Sequence, residues 1–471
     1  MESAGLWMLA AVAAAMLATG LPSWIVLSGV AGLFAAVGAA IGLFPGALVG
    51  ALPSRLLGLL ESDLLQAMPL YVLMGALIHR LPLADRLFAS AAHALRRTGC
   101  AMPLAGLGVG VVLAPMSGSV GASIAMLGRI VQPRLERARL PPERAAALVC
   151  AASTLGVLVP PSLVLILLGD AMMRAHTEAS RLNASITRIV NTQDVFHGAL
   201  LPGALLVALC ALVTLITCRS GRASDTPAPA KHERIEAGIV LAVVLVLLGG
   251  VALGRLYAVE AAATGAVALF IYGLATRTLT RTVLEAVLRD TLALTGALFA
   301  LLVAATFFTL VQRAYGTDRW LAALFTGFDA PPGAVLAVAL AAMAACALVL
   351  DAFEMIFVVV PLVMPPLLAR VPDAPWVAVL TLLILQASFI VPPFGYAVLM
   401  TRSRSPSLGS RELARALAPY VAAQLVVLAA AWAMPQMLWR DSQKETAAPE
   451  APPSEEKARE MLEKQLAEPP T

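Results

Sequence analysis

Charged residues are scarce in this chain: 13% of its 471 residues, against 60% hydrophobic ones. Soluble domains carry about 25% charged and roughly 45–50% apolar residues, so a water-facing globule is excluded. Cysteine is scarce too. The five at 100, 150, 210, 218 and 346 form no C-x-x-C pair and read as small core residues, with nothing to suggest a transition-metal site. The five histidines (79, 93, 176, 197 and 232) lie in or beside loops, without H-E-x-x-H spacing. No G-x-x-x-x-G-K-[ST] segment exists to hold a nucleotide phosphate, so ATP hydrolysis is excluded for this chain. The start, Met1-Glu-Ser-Ala-Gly-Leu-Trp7, lacks the basic n-region of a secretory signal, and residues 5–20 read as a retained helix.

What is abundant is apolar sequence, with a mean hydropathy of +0.85. At about 20 residues per crossing, this length fits roughly ten to twelve passes. Full crossings are expected near 5–20, 24–50, 64–79, 145–169, 199–217, 237–253, 258–275, 291–311, 376–399 and 418–437. Two further stretches, 103–128 and 333–365, are rich in Gly, Ser or Pro and sit between charged flanks; they read as re-entrant hairpins.

Basic residues orient the chain. Loops 80–102, 129–144, 218–236, 276–290 and 400–417 hold 20 of the 33 Lys/Arg, whereas 53–63, 170–198, 254–257, 312–332 and 366–375 hold 8. The first set is therefore cytoplasmic and both termini face outward. The fold class expected is an all-α polytopic membrane protein with two inverted repeats, because segment 64–79 then runs opposite to 291–311. The organisation reads as N-terminal scaffold helices (1–63), a first repeat (64–217), a cytoplasmic linker (218–236), further scaffold helices (237–290), a second repeat (291–437) and a disordered tail (438–471). The 170–198 segment is long for a loop and is expected to carry its own helix.

The two repeats share their punctuation. Ser117-Gly-Ser-Val-Gly-Ala-Ser123, Pro133 and Gly156-Val-Leu-Val-Pro-Pro161 come first; Asp351-Ala-Phe-Glu354, Pro365 and Ser388-Phe-Ile-Val-Pro-Pro393 follow. A shift of 232 puts Ser119 on Asp351, Pro133 on Pro365 and Pro160-Pro161 on Pro392-Pro393. Helix breaks at membrane depth free backbone groups that hydrocarbon cannot satisfy, so they persist only around a cavity, ion or substrate. Such paired breaks point to the binding site of a transporter. Serine hydroxyls and freed carbonyls at Ser117-Gly-Ser119 are hard ligands for a small cation, although small residues at that spacing also serve close helix packing. Asp351 and Glu354 are the only carboxylates deep in an apolar segment, three residues apart on one helical face. Either can bind a cation or carry a proton; equally, both can be capped by backbone donors. The double prolines are expected to free carbonyls near Leu155–Val157 and Ala387–Phe389 and to aim half-helix N-termini at an anion. The Asn183-Ala-Ser185 sequon is a three-residue match of little weight. An intramembrane enzyme acting through Asp351 would need a second aspartate to share its proton, and there is none.

The ordered series resembles the large membrane subunit of the tripartite ATP-independent periplasmic (TRAP) transporters over roughly residues 5–437. Its matching pieces are Ala67-Met-Pro-Leu-Tyr-Val-Leu-Met-Gly75, Met116-Ser-Gly-Ser119, Leu155-Gly-Val-Leu-Val-Pro-Pro-Ser162, Gly198-Ala-Leu-Leu-Pro-Gly203, Leu350-Asp351 with Pro361 and Pro365, and Val391-Pro-Pro-Phe-Gly395. The resemblance implies an elevator-type, sodium-coupled importer of an organic acid or related solute in a bacterial inner membrane. It has no cofactor beyond Na+ as coupling ion, and it works with a small membrane subunit and a periplasmic substrate-binding protein. Carried onto this chain, the sodium candidates are Ser117, Gly118, Ser119, Gly156, Asp351 and Ser388. The substrate candidates are Ser119, Ser123, Pro161, Ser162, Glu354, Pro393 and Gly395. Phe389-Ile-Val391 stands where the family often has a small polar residue, and the 170–196 linker is longer than in many members. The alternative is a stand-alone ion-coupled anion transporter of similar inverted-repeat fold.

Overall fold

The computed structural model describes residues 4–43, 47–61, 63–160, 162–183, 186, 190–218, 229–252, 254–327, 329–405 and 408–435. Pro161, the sequon positions 184 and 185, most of the 218–236 linker and the 438–471 tail lie outside these residues. All described regular structure is helical, as a backbone in hydrocarbon requires when no barrel is formed.

Ala4–Thr19, Ser23–Ala40, Ala47–Leu60, Asp63–Arg80 and Leu83–Ala94 open the chain. The first hairpin pairs Ala101–Leu113 with Val120–Ile130, and the short Gln132–Arg137 follows. A broken span, Pro142–Thr154 and Leu163–Leu182, leads to Thr192–Thr217. Lys231–Ala252, Ala258–Ala275, Arg281–Ala314 and Thr317–Gly327 come next. The second hairpin pairs Pro332–Cys346 with Ala352–Arg370, and a second broken span pairs Ala374–Ile390 with Tyr396–Arg404 before Ser410–Ala433 closes the described part. The long helices leave bulky apolar side chains such as Ile216 (64%), Val246 (68%) and Leu292 (72%) exposed. Such a surface is stable only against lipid or another apolar chain. The chain is a multi-pass membrane protein.

Several sequence expectations need correcting. Six described helices are apolar and long enough to cross a bilayer, or seven if the pair Leu65–Arg80 and Leu83–Ala94, bent by 63°, forms one span. That is fewer than the ten expected, because hydropathy alone does not register a break. The 24–50 crossing ends at Ala40, where Gly42 takes a left-handed φ of 71° and turns the chain. The 145–169 and 376–399 crossings are each split at their prolines, which lack the N–H to continue a helix. The 80–102 and 312–332 loops contain the helices Leu83–Ala94 and Thr317–Gly327. The extra helix expected in 170–198 is instead the continuation of Leu163–Leu182, where Asp170 pairs with Arg174 one turn on. Arg281–Ala314 begins ten residues before the expected 291, since charged residues on helix ends look like loop in a hydropathy profile.

The shift of 232 also aligns structure. Ala101–Leu113 moves to 333–345, close to Pro332–Cys346; Pro142–Thr154 moves to 374–386, inside Ala374–Ile390. Even the unforeseen helix Leu83–Ala94 moves to 315–326, over Thr317–Gly327.

Candidate functional site

The first hairpin breaks at a single-turn 3-10 segment, Pro115–Ser117, followed by Gly118 at φ 76°. Glycine is suited to that left-handed turn. Ser119 then caps Val120–Ile130, its Oγ accepting from the Ala122 N–H at 3.1 Å. Behind the cap, Ser117 Oγ reaches the Ala114 carbonyl at 2.7 Å and the Ser119 carbonyl at 3.1 Å, and Ser123 Oγ lies 3.2 Å from the latter. The Ser117 and Ser123 hydroxyls also bond each other, and both side chains are buried. The result is a compact, neutral cluster of oxygens at the hairpin tip. Its hydrogen bonds satisfy the protein; its lone pairs are of the kind a small cation takes.

Two glycines let other backbones close on this tip. A Cβ on Gly75 would sit 2.8 Å from the Met116 carbonyl oxygen, and one on Gly156 would sit 2.5 Å from the Ala114 carbonyl carbon. Gly156 therefore serves as a contact surface between the first broken span and the first hairpin. Its counterpart Ser388 meets the second hairpin at the equivalent place, with Oγ 3.5 Å from the Ala344 carbonyl and 2.9 Å from its own helix at Ile384.

Asp351 holds the same position as Ser119. It caps Ala352–Glu354 in a reciprocal box: the Glu354 N–H donates to Asp351 Oδ1 at 2.9 Å, and the Asp351 N–H donates to Glu354 Oε2 at 3.0 Å. Each carboxylate keeps oxygen lone pairs beyond those bonds. Ser23 and Tyr396 both come within range of Glu354. Tyr396 was not legible as a site residue, yet it joins the two tips. It lies near both carboxyls, and its hydroxyl occupies the space a Cβ on Gly121 would take, at 2.7 Å. The place where Gly121 lets Tyr396 approach the helix capped by Ser119 is a tertiary fact with no sequence signature.

At the broken spans, Ser162 caps Leu163–Leu182, its Oγ accepting from the Leu165 N–H at 3.5 Å. Pro392 and Pro393 are joined by a cis peptide, and Gly395 starts Tyr396–Arg404. A Cβ on Gly395 would meet the Phe389 carbonyl at 2.5 Å, so the chain doubles back tightly there. Not all the carbonyls expected to be free are free: Leu155 accepts from the Leu158 and Val159 N–H groups, and Ala387 from that of Val391. Four residues after Gly156 and Ser388 stand Pro160 and Pro392, which have no N–H to donate to their carbonyls. Gln386, one turn before the second break and buried, has an Oε1 with no hydrogen-bond partner among the described residues.

A cavity of about 440 Å³ opens between Leu163–Leu182, Arg281–Ala314 and the second arm of the second hairpin. Arg55, Arg174 and Arg313 line it with Asp170 and Glu178, as do Thr306 and Thr309. Arg174 pairs with Asp170 at 3.0 Å, and Arg313 reaches Glu178 at 3.7 Å. Basic groups exceed acidic ones by one, so the cavity favours an anion. Its charged residues all fall in segments that hydropathy reads as loops (53–63, 170–198 and 312–332), although Arg55, Asp170 and Arg174 lie within helices.

Residues 10–437 match the model of the "Tripartite ATP-independent periplasmic transporter, DctM component" family. The chain belongs to this family. Its relatives include the sialic acid TRAP transporter large permease protein SiaM of Vibrio cholerae, 23% identical over 377 residues (79% of this chain, 84% of that one). The C4-dicarboxylate large permease protein DctM of Pseudomonas aeruginosa is 26% identical over 377 residues (77% and 82%). The ectoine large permease protein TeaC of Halomonas elongata is 23% identical over 337 residues (70% and 75%). Among solved structures, the YdaH transporter of Alcanivorax borkumensis shares the fold at a TM-score of 0.57 and 17% identity, covering 84% of this chain and 88% of its own. This DctM-family chain is therefore a TRAP large permease component, and its hairpins and broken spans are elements of a permease.

Proposed function

We propose that this TRAP permease imports an organic acid or related small solute across a bacterial inner membrane, driven by sodium and fed by a periplasmic binding protein. The observation that carries the reading is the matched pair of hairpin tips: Ser119 and Asp351 cap the same helix in each half, 232 residues apart, each beside a span broken at two prolines. Two such sites entering from opposite faces suit inverted repeats that shuttle a bound solute, as an elevator does. The chain itself makes and breaks no bond; its work is to bind, occlude and release.

In this reading the oxygen cluster at Ser117, Ser119 and Ser123 takes one cation, near Gly118 and Gly156, and Asp351 with Ser388 serves a second. Ser162, Glu354, Pro393 and Gly395 face the solute together with Ser119 and Ser123. The arginine-lined cavity is the outer mouth through which an anion arrives. A small membrane subunit covers part of the exposed apolar helix surface. Relatives named for sialic acid, C4-dicarboxylates and ectoine differ in cargo, so cargo is identified by assay.

The test is uptake into proteoliposomes holding this chain and its small subunit, with the binding protein and a panel of labelled organic acids, with and without an inward sodium gradient. Uptake that needs both sodium and the binding protein is expected. Uptake by the chain alone would replace this reading with a stand-alone ion-coupled transporter.

A further inference from the structure

The geometry points to a groove on the arginine-rich face that binds the phosphate headgroup of an anionic phospholipid. Two cavities of about 130 and 150 Å³ share Pro103, Leu140, Arg144, Thr217 and Cys218, and so form one continuous groove. It lies between the base of the first hairpin, the turn before Pro142–Thr154, the end of Thr192–Thr217 and the start of Ser410–Ala433. Among the described residues, Arg139, Arg144 and Arg415 line it and no Asp or Glu does. Glu412, on the same helix as Arg415, turns instead toward Gly409.

The basic groups are held in place. Arg144 Nη1 donates to the Thr217 carbonyl at 3.0 Å, which anchors the guanidinium and leaves further N–H groups for an anion. Arg139 sits at φ 63°, a left-handed conformation uncommon for a non-glycine residue, in the turn closing onto Pro141. A hydroxyl pair, Thr214 with Tyr420 at 3.1 Å, borders the groove. Burial, and the neighbouring Cys100, push the Cys218 thiol up to about 11, so it brings no negative charge at neutral pH.

The source of the phosphate follows from the walls. Pro103, Leu140, Leu148 and Pro419 make them apolar, and one turn away Leu215 and Ile216 are 40% and 64% exposed on the lipid-facing surface. The groove thus runs from a basic rim into the bilayer, where a soluble anion has nothing to gain and acyl chains do. Basic pockets between membrane helices on the cytoplasmic side are suited to such headgroups. The assignment rests on the membrane placement of the chain and on none of the coupling chemistry above.

The experiment uses the full chain in bilayers of phosphatidylcholine with phosphatidylglycerol, extracted and analysed for bound lipid by native mass spectrometry. The wild type is expected to retain phosphatidylglycerol over phosphatidylcholine. Arg144→Gln and Arg415→Gln should each weaken retention about fivefold and the pair about 25-fold, at about 1 kcal/mol per basic residue, while Arg415→Lys keeps most of it. Arg415 lies on an exposed helix face, so Arg415→Gln decides the matter even if losing the Arg144–Thr217 bond unfolds the chain. Equal retention of the two lipids by the wild type, or unchanged retention in Arg415→Gln, overturns the assignment. Thermal protection by inorganic phosphate equal to that by dioctanoyl phosphatidylglycerol would make it a soluble-anion site instead. No arm reads transport, so failure here leaves the transport reading untouched, and the converse holds.

Discussion

Adding one methyl group at Gly156 should disturb the site although it changes no charge and no hydrogen-bonding group. The new Cβ would lie 2.5 Å from the Ala114 carbonyl carbon, 2.7 Å from its Cβ and 2.8 Å from its oxygen. Two of the three are backbone atoms, so no side chain can swing aside. Gly156 is not in the left-handed region, so alanine pays no conformational penalty there and the effect is steric alone. Overpacking of this kind costs about 1–3 kcal/mol. Gly108→Ala is the control: it lies in the hairpin that Gly156 packs against, and a Cβ there meets nothing within 4 Å. In a helix interior that exchange is worth up to about 1 kcal/mol of stabilisation. The two alanine variants should therefore differ by about 1–4 kcal/mol, read as thermal unfolding midpoints in one detergent. Gly156→Ala should melt lower and lose uptake, because Ala114 carries a carbonyl of the oxygen cluster; Gly108→Ala should match or exceed the wild type in both. Gly75→Ala, with Met116 and Ser117 carbonyl oxygens at 2.8 and 2.9 Å, should follow Gly156→Ala. If Gly156→Ala melts with Gly108→Ala, the breaks are not packed against each other and the site as described is wrong.

Asp351→Asn separates capping from charge, because asparagine caps a helix about as well as aspartate. Insertion and assembly should stay intact while sodium-driven uptake is lost, and wild-type uptake would remove the carboxylate from the mechanism. Ser119→Ala should lower the melting point by the loss of a cap, about 1 kcal/mol, and raise the sodium concentration for half-maximal uptake. An unchanged sodium dependence would leave Ser119 as a cap only. Arg313→Gln removes the 3.7 Å pairing with Glu178 and the cavity's excess positive charge. It should raise KM for an anionic solute on the order of tenfold with little change for a zwitterion, and an equal effect on both would place Arg313 outside the solute's path.

The sites most legible in the sequence were those where a rule of membrane chemistry is broken. Asp351 and Glu354 in an apolar run, and paired prolines within expected spans, are costly enough to mark their positions without a structure. The same signal could not show what closes around them. Gly75, Gly121 and Gly156 matter because another backbone or a tyrosine approaches each within van der Waals range, and that approach depends on helices far apart in the chain. Tyr396 looked like one more aromatic after a proline pair. Arg55, Arg174 and Arg313 fell in stretches expected to be loops, because charge in a hydropathy profile reads as loop even where a helix continues. The capping geometry adds one further step. Ser119 and Asp351 make the same cap in each half, yet one tip is neutral and the other carries two carboxyls. Shared backbone geometry with unequal charge means the two tips are not chemically interchangeable. A neutral oxygen cluster holds a cation only by dipoles and adds a full positive charge to the bilayer interior. A carboxylate tip offsets that charge, and an N-terminal helix dipole stabilises it when the ion is away. If both tips take a cation as proposed, the ion's charge is offset by a carboxylate at one and only by dipoles at the other, so the Asp351 tip should hold its ion the more tightly of the two.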